Sequence, residues 1–314
     1  MKIFLTGASG LVGGAFASLA AQAGHTVIGV VGSFSAPLPG LAEKLTLDLA
    51  DESALVQALR RARPEAIVNA AAISEPAKCD ENPVRAQRLN VDLPAALARH
   101  ARDHGARLLH LSSEQVFAGD RAPYAVTDPV APLNLYARQK VESERVVAAL
   151  APGHAATVRA PLLMGNSPGG RRSLHERLFG DWSAGRAPRL YTDEFRQTCT
   201  AENLAAALLE LCARPELCGV FHWAGAEVLS RHEQGLRVRA HFRLSPERAP
   251  IVTVERAATP AISATRPANL ALDLQPLSRL LRTPVETFAQ QLAALTLPAP
   301  CRAWYEAAPE VPST

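Results

Sequence analysis

Tyr136 and Lys140 stand four residues apart in a stretch with helical character, Leu135 to about Leu150. Side chains at that spacing share one helix face, so the amine lies within reach of the phenol. A phenol with a pKa of about 10 is a reluctant acid–base group at neutral pH, and a nearby ammonium favours its phenolate. Ser113 closes an upstream apolar run and can hydrogen-bond a carbonyl oxygen beside that phenol. The three residues suit the reduction of a ketone. Ser113 would orient the carbonyl, Tyr136 would give its proton to the oxygen that becomes an alkoxide, and Lys140 would tune the phenol. This chemistry needs no metal, but it needs a hydride source. Gly7, Gly10 and Gly13 offer a place for one, spaced G-x-x-G-x-x-G between an apolar strand and an apolar helix, Ala15 to Ala23. In a dinucleotide-binding turn such glycines allow the tight bend, the approach of a pyrophosphate and close helix packing. The free N–H groups of the helix N-terminus then face the phosphates.

Alternating elements must position these residues. Thr26 to Val31 is a continuous apolar run of strand length, followed by a loop, Gly32 to Gly40. Lys44 to Leu47 reads as a third strand, Glu52 to Arg61 as a helix, and Ala66 to Ala72 as a strand ending in small residues. A helix spans Pro83 to Gly105, and Arg107 to Ser112 follows as a strand. This order predicts an α/β fold, a Rossmann-type doubly wound parallel sheet. His100 and His104 are read as cationic rings near the helix end at Gly105 rather than as metal ligands. After Arg159 the alternation weakens. Gly165 to Pro188, with Arg171, Arg172 and Arg177, is read as irregular, those arginines fitting a solvated loop as well as an anion site. Helices are expected at Glu202 to Arg214 and after the capping box Ser230-Arg-His-Glu233, and a short strand at Val220 to Trp223. The expected division is a cofactor domain over 1–158, a smaller substrate lobe over 159–297 that can interleave with it, and a loose tail over 298–314.

Composition narrows the partners. The 314 residues carry 33 Lys and Arg interspersed with 30 acids, a formal charge of +3. There is no concentrated basic stripe of the kind nucleic acid requires. No apolar segment reaches the length of a membrane span. Five cysteines without a C-x-x-C pair are read as reduced thiols of a cytoplasmic protein.

Taken together, Thr6-Gly-Ala-Ser-Gly-Leu-Val-Gly13, Asp48-Leu49, Asn69-Ala-Ala71, Ser112-Ser113 and Tyr136 with Lys140 resemble an extended short-chain dehydrogenase/reductase. Within it the chain is similar to the dTDP-4-dehydrorhamnose reductase group, which includes the regulatory β subunit of methionine adenosyltransferase. Asn90-Val-Asp, Val116-Phe117, Pro132-Leu-Asn-Leu-Tyr136, Phe221-His-Trp-Ala-Gly225 and Arg266-Pro-Ala-Asn-Leu-Ala-Leu-Asp273 carry that similarity. Two positions depart from the pattern. Ala137 stands where Gly is usual, and the segment Arg159 to Gly165 lacks the Trp of the reductases at about Leu162, which brings it nearer the β-subunit branch.

The resemblance implies that Gly10, Leu11 and Val12 line the pyrophosphate, Asp48 and Leu49 flank the adenine, and Ala70, Ala71 and Ala72 lie along the cofactor. Asn90 belongs to the same cofactor-side set, and Lys140 would also hold the nicotinamide ribose. The function so implied is an NAD(P)-dependent reductase of a 4-keto nucleotide sugar. A cofactor-binding regulatory subunit is the alternative, with a homodimer or a regulatory protein partner allowed. A dehydratase or epimerase ranks last, because Gln115 of Ser113-Glu114-Gln115 cannot shuttle a proton. Where an acid would bind ribose hydroxyls and repel a 2′-phosphate, the chain has Val31, Gly32 and Ser33, so NADP(H) is expected to bind at least as well as NAD(H).

Overall fold

The computed structural model describes residues 1–307. Its centre is a seven-stranded sheet built from β1 (Lys2–Thr6), β2 (Thr26–Val31), β3 (Glu43–Thr46), β4 (Ala66–Asn69), β5 (Arg107–Ser113), β6 (Ala155–Ala160) and β7 (Gly219–His222). The spatial order is β7-β6-β5-β4-β1-β2-β3, and every pair is parallel. Strands buried on both faces read as apolar runs: Ile3, Phe4 and Leu5 of β1 and Ile67 and Val68 of β4 are fully buried.

Helices cover both faces, as the doubly wound reading requires. On one side α1 (Leu11–Gln22) packs through Phe16, Ala17 and Ala20 against Leu204, Leu208 and Leu211 of a helix late in the chain, Ala201–Cys212. On the other, α2 (Glu52–Ala62) and α3 (Leu93–His104) bury Leu55, Leu59, Leu97 and Ala101, joined by Val147 from α4 (Leu135–Leu150). The chain order reverses between β1 and β4. At such a switch point the loops leaving the carboxyl ends of the two strands open a crevice. Here those loops are Gly7–Gly10 and Ala70–Ala72.

Residues beyond β6 return to this sheet through β7, Ala201–Cys212 and the Leu277 and Leu281 side chains, and others form a second core beside it. That core gathers Leu174, Leu178, Phe179 and Trp182 with Leu190, Val238 and Phe288. The segment expected to be irregular contains a helix, Leu174–Ser183, started by a Ser173/Glu176 capping box. The box expected at Ser230 and Glu233 is formed and opens Arg231–His241. Beyond Leu297 the chain forms a short turn, Ala299–Cys301, and a helix, Arg302–Glu306, with Trp304 and Tyr305 packed on that core. The remainder of the expected loose tail, 308–314, lies outside the described residues.

Two local expectations are corrected. Pro83 to Gly105 is not one helix: Pro83–Gln87 passes through a π-helical turn, Arg88–Asp92, before α3 begins. Pro94 has no N–H and its ring crowds the carbonyl four residues back, that of Asn90, so a wider turn relieves the clash. His100 is not a cation. Burial, with repulsion from His104, lowers its imidazole to about 4, and the neutral ring stacks on His104 with centroids 4.1 Å apart.

Candidate active site

At the switch point the glycine turn is held by its own backbone. Gly7 has φ +70°, a left-handed conformation that glycine adopts without strain, and its carbonyl accepts the Gly10 N–H at 2.8 Å. A Cβ on Gly7 would lie 2.7 Å from the Ala70 carbonyl oxygen, and one on Gly13 would lie 2.1 Å from the Gly7 oxygen. Loop, helix and neighbouring strand end are therefore packed backbone to backbone. No side chain caps α1 at Gly10, which leaves its first N–H groups free for an anion.

Ser113, Tyr136 and Lys140 come from β5 and α4. The N-cap of α4 is Asn134, whose Oδ1 accepts the Ala137 N–H at 2.9 Å. Its Nδ2 donates to Gln115 Oε1 at 3.3 Å, so Gln115 ties the helix start to the end of β5. Lys140 is buried and donates to the Leu111 carbonyl at 2.8 Å, with its Nζ 5.9 Å from the Tyr136 ring centroid. A single cleft of about 1380 Å³ is lined by Ser113, Tyr136 and Lys140 together with Gly10, Leu11, Val12, Ala70, Ala71 and Ala72. The residues named for chemistry and those named for the phosphates thus share one space.

The proton balance differs from the expectation. Burial raises the Tyr136 phenol to about 12, against an opposing hydrogen bond from the Ser113 side chain. Burial also lowers Lys140 to about 8, with Glu144 opposing. Lys140 is not among the groups that pull the phenol down. Its ammonium bonds a backbone carbonyl, and desolvation of the phenolate outweighs its field. A phenol kept protonated is the form that donates to a developing alkoxide, so the shift suits reduction.

The remaining sequence-named residues stand behind or outside the cleft wall. Gly7 and Gly13 shape the turn from beneath. Asn90 is buried in the π-helical turn, where it accepts the Ile73 N–H at 2.9 Å and donates to Gln139 at 2.9 Å, fixing the chain that continues from Ala72. Asp48 makes a bidentate pair with Arg85, both contacts 3.1 Å. Its carboxyl is held below its usual range by the Ala50 N–H and then by Arg85. Leu49 packs against the core beneath α2. Ser33 is exposed on its loop.

The structure also joins residues to which no sequence pattern assigns a role: Thr6, Asn69 and Ser112 of the motifs that carry the resemblance, with His110, Ser143 and Glu144. A buried chain runs from Thr6 to Asn69 (2.6 Å), on to His110 (3.0 Å), then to Ser143 (3.0 Å), whose hydroxyl donates to the Lys140 carbonyl at 2.8 Å. Ser143 commits its proton to that carbonyl, so His110 must donate from Nε2 and accept from Asn69 at Nδ1. Its neutral state agrees, since full burial holds the imidazole well below its ordinary value. This chain ties β1, β4 and β5 to the turn of α4 that carries Lys140. A second network joins Glu144 to Ser112 and, through two contacts of 3.0 and 2.8 Å, to Arg159.

The same cleft is also lined by Glu114, Glu194, Arg196, Arg231 and Arg266, with Arg171, Arg172 and Arg177. Arg196 meets Glu114 and Glu194, each at 3.3 Å, and Arg231 meets Glu194 at 3.8 Å. Cations outnumber carboxylates among these residues, which favours an anionic ligand. Arg266 opens the stretch Arg266 to Asp273 and Glu114 follows Ser113, but no motif assigns either to such a wall, and only the arginine density of Gly165 to Pro188 hinted at it.

Glu114 is pushed up to about 7 by burial, against Arg196. A carboxyl raised in the folded state binds its proton more tightly there than in the unfolded chain, so its contribution to stability declines as pH rises through that window. Relative to Glu114→Gln, the wild-type protein is expected to lose up to about 3 kcal/mol between pH 5 and 8. Urea denaturation of both proteins across that range checks this, and a constant difference would contradict it.

Among known proteins, residues 1–298 match the family described as RmlD substrate binding domain. The chain is 29% identical over 294 residues to methionine adenosyltransferase 2 subunit beta of Mus musculus, covering 91% of this chain and 85% of that protein. It is equally 29% identical to dTDP-4-dehydrorhamnose reductase of Mycolicibacterium smegmatis, covering 93% and 84%. The crystal structure of a hypothetical dTDP-4-dehydrorhamnose reductase from Sulfolobus tokodaii superposes with a TM-score of 0.78 at 26% identity, covering 91% of this chain and 97% of that one. With the seven-stranded parallel sheet, the glycine turn at its switch point and a family match over nearly the whole length, the chain belongs to the RmlD substrate binding domain family.

Proposed function

We propose that the protein is an NAD(P)-dependent reductase of a keto group on a nucleotide sugar, with Tyr136 as the proton donor. The observation that carries this reading is the shared cleft, in which Ser113, Tyr136 and Lys140 meet Gly10, Leu11, Val12 and Ala70 to Ala72. A nicotinamide dinucleotide bound on the glycine turn would supply hydride. The protein's own residues do the rest. Ser113 and Tyr136 hold the carbonyl oxygen, the protonated phenol passes its proton to that oxygen, and Lys140 would hold the nicotinamide ribose beside them. The arginine wall accounts for a diphosphate on the substrate. The test is NADPH consumption by the purified protein with dTDP-4-dehydrorhamnose and other 4-keto dTDP sugars. No turnover with any of them defeats the reading.

The second reading is a cofactor-binding regulatory subunit. It is favoured by the 29% identity to a methionine adenosyltransferase β subunit, and it predicts cofactor binding and a protein partner without turnover. The dehydratase alternative fares worse, because Gln115 is engaged in holding Asn134.

Cofactor choice follows from the end of β2. Gly32 has open space where a side chain would stand, so no acid repels a 2′-phosphate. Lys44, the cation nearest in sequence, donates instead to the Ser35 and Ala36 carbonyls at 2.8 and 3.3 Å and gives no phosphate clamp. NADPH is expected to bind at least as tightly as NADH, with a preference under about tenfold. Calorimetry giving NADH a hundredfold advantage would contradict this. Among the described residues no helix is long and apolar enough to cross a membrane.

A further inference from the structure

Glu144 lies one turn after Lys140 on α4, so the two side chains share a face with Cβ atoms about 5–6 Å apart. They reach adjacent residues of β5. Lys140 Nζ donates to the Leu111 carbonyl at 2.8 Å, and Glu144 Oε1 accepts the Ser112 hydroxyl. Arg159 stands opposite Ser112 where β5 pairs with β6, and His222 stands opposite Arg159 where β6 pairs with β7. A row across three strands is thereby tied to one buried carboxylate: His222 meets Arg159 at 3.2 Å, and Arg159 donates twice to Glu144, at 3.0 and 2.8 Å.

Few groups around Lys140 carry a charge. His222 gives its Nδ1 proton to the Asp273 carbonyl at 3.0 Å and accepts Arg159 at Nε2, so its ring is neutral. Burial, and then Arg159, lowers that imidazole to about 4. His110 on β5 is neutral as well, and Tyr136 keeps its proton up to about 12. Cys79, on the helix Pro76–Glu81, is a thiol that burial pushes up. Lys78 and Asp80 of that helix, with Arg88 and Asp92 of the π-helical turn, are exposed and screened by solvent. Glu114 is committed to Arg196. Glu144 is therefore the one buried anion placed to serve both Lys140 and Arg159.

We propose that Glu144 is a positioning residue of the reductase site, a fixed anion one turn behind Lys140 that keeps the amine protonated and held against the end of β5. The inference rests on the reductase reading and adds to it a group that acts through Lys140. Burial lowers Lys140 to about 8, and Glu144 is the largest influence opposing it. An ammonium has three N–H donors. One is committed to Leu111, which leaves two for a cofactor in the cleft that Lys140 lines, where a neutral amine would have one. Because Ser112 stands between Leu111 and Ser113, the same carboxylate also steadies the strand end that carries Ser113.

The test is carbon-13 NMR of the full chain labelled at the lysine Cε, whose shift follows the charge of the amine. The chain has four lysines, Lys2, Lys44, Lys78 and Lys140, and Lys140→Arg identifies the signal by its loss. Lys140 of the wild type is expected to titrate near 8. Glu144→Gln keeps the shape and removes the charge, and it is expected to move that midpoint down by at least about one pH unit, the smaller effect of an opposite charge at such range. The alkaline limb of kcat/KM with NADPH and dTDP-4-dehydrorhamnose should move down with it, since the charged amine is lost as pH rises through the midpoint. An unchanged midpoint overturns the inference, because a merely structural carboxylate alters stability without moving Lys140. A midpoint that moves while the limb stays overturns the positioning role. Glu144→Gln leaves Arg159 unpaired, so Glu144→Gln combined with Arg159→Gln, which removes both charges, should still show the lower midpoint. If the double variant titrates as the wild type does, the effect belonged to Arg159; if thermal denaturation shows it unfolded, Glu144 serves the framework alone. Either result overturns the inference. A midpoint that moves as expected in a protein that turns over no ketone defeats the reductase reading and leaves the hold of Glu144 on Lys140 standing.

Discussion

Tyr136→Phe is expected to lower kcat by about 10²- to 10⁴-fold, the usual worth of a positioned general acid. The substitution removes one hydroxyl and keeps the ring, which packs with Cys79, Ala86, Ile73 and Leu135. Folding, NADPH affinity and KM should therefore change little, so the loss is confined to a group needed as the oxygen gains its charge. Initial rates of NADPH oxidation with dTDP-4-dehydrorhamnose measure it, and equal activity of the two proteins would remove Tyr136 from the mechanism. A regulatory subunit gives a different result, since neither protein turns over. Lys140→Ala then separates the two residues: it would impair cofactor binding as well as catalysis, because Lys140 faces the cleft from beside both the phenol and the backbone of β5.

Much of this is legible in the chain because local patterns carry it. Thr26–Val31 can be read to the residue, since a run that is apolar throughout has one compact solution, a strand buried on both faces. The capping box at Ser230 is legible because its two partners are three residues apart. Ser113, Tyr136 and Lys140 can be named because one helical turn joins two of them and the end of a strand marks the third. The arginine wall is not legible. Arg196, Arg231 and Arg266 meet Glu194 in space from separate segments, and nothing in any one segment records that meeting. The Tyr136 proton balance is hidden for a related reason. Spacing shows that an ammonium is near a phenol, but burial and the Leu111 carbonyl decide which group controls it. The π-helical turn at Arg88–Asp92 sits between these cases, because Pro94 announces a break without stating its form.

Gly13→Ala is expected to weaken NADPH binding at least about 100-fold, the scale of loss that a displacement near 1 Å produces in a positioned site. The added methyl would stand 2.1 Å from the Gly7 carbonyl oxygen and 2.9 Å from the Ala8 Cα, closer than real Cβ contacts, so backbone must move by about 1 Å. Helix α1 cannot retreat, because Phe16, Ala17 and Ala20 are fully buried against the sheet and against Ala201–Cys212. The turn must yield instead, which breaks the 2.8 Å bond from the Gly10 N–H to the Gly7 carbonyl and shifts Gly10 to Val12 out of the cleft wall. Gly180→Ala is the control. Gly180 lies inside the helix Leu174–Ser183 with nothing within 4 Å of the place an added methyl would take, so the same change should stabilise by up to about 1 kcal/mol and leave NADPH affinity alone. Calorimetry gives the affinities, and thermal denaturation establishes that Gly13→Ala remains folded at the assay temperature. A folded Gly13→Ala protein that binds NADPH as the wild type does would mean that the turn accommodates the methyl without moving its phosphate-facing N–H groups, and the assignment of the cofactor to this turn would fall.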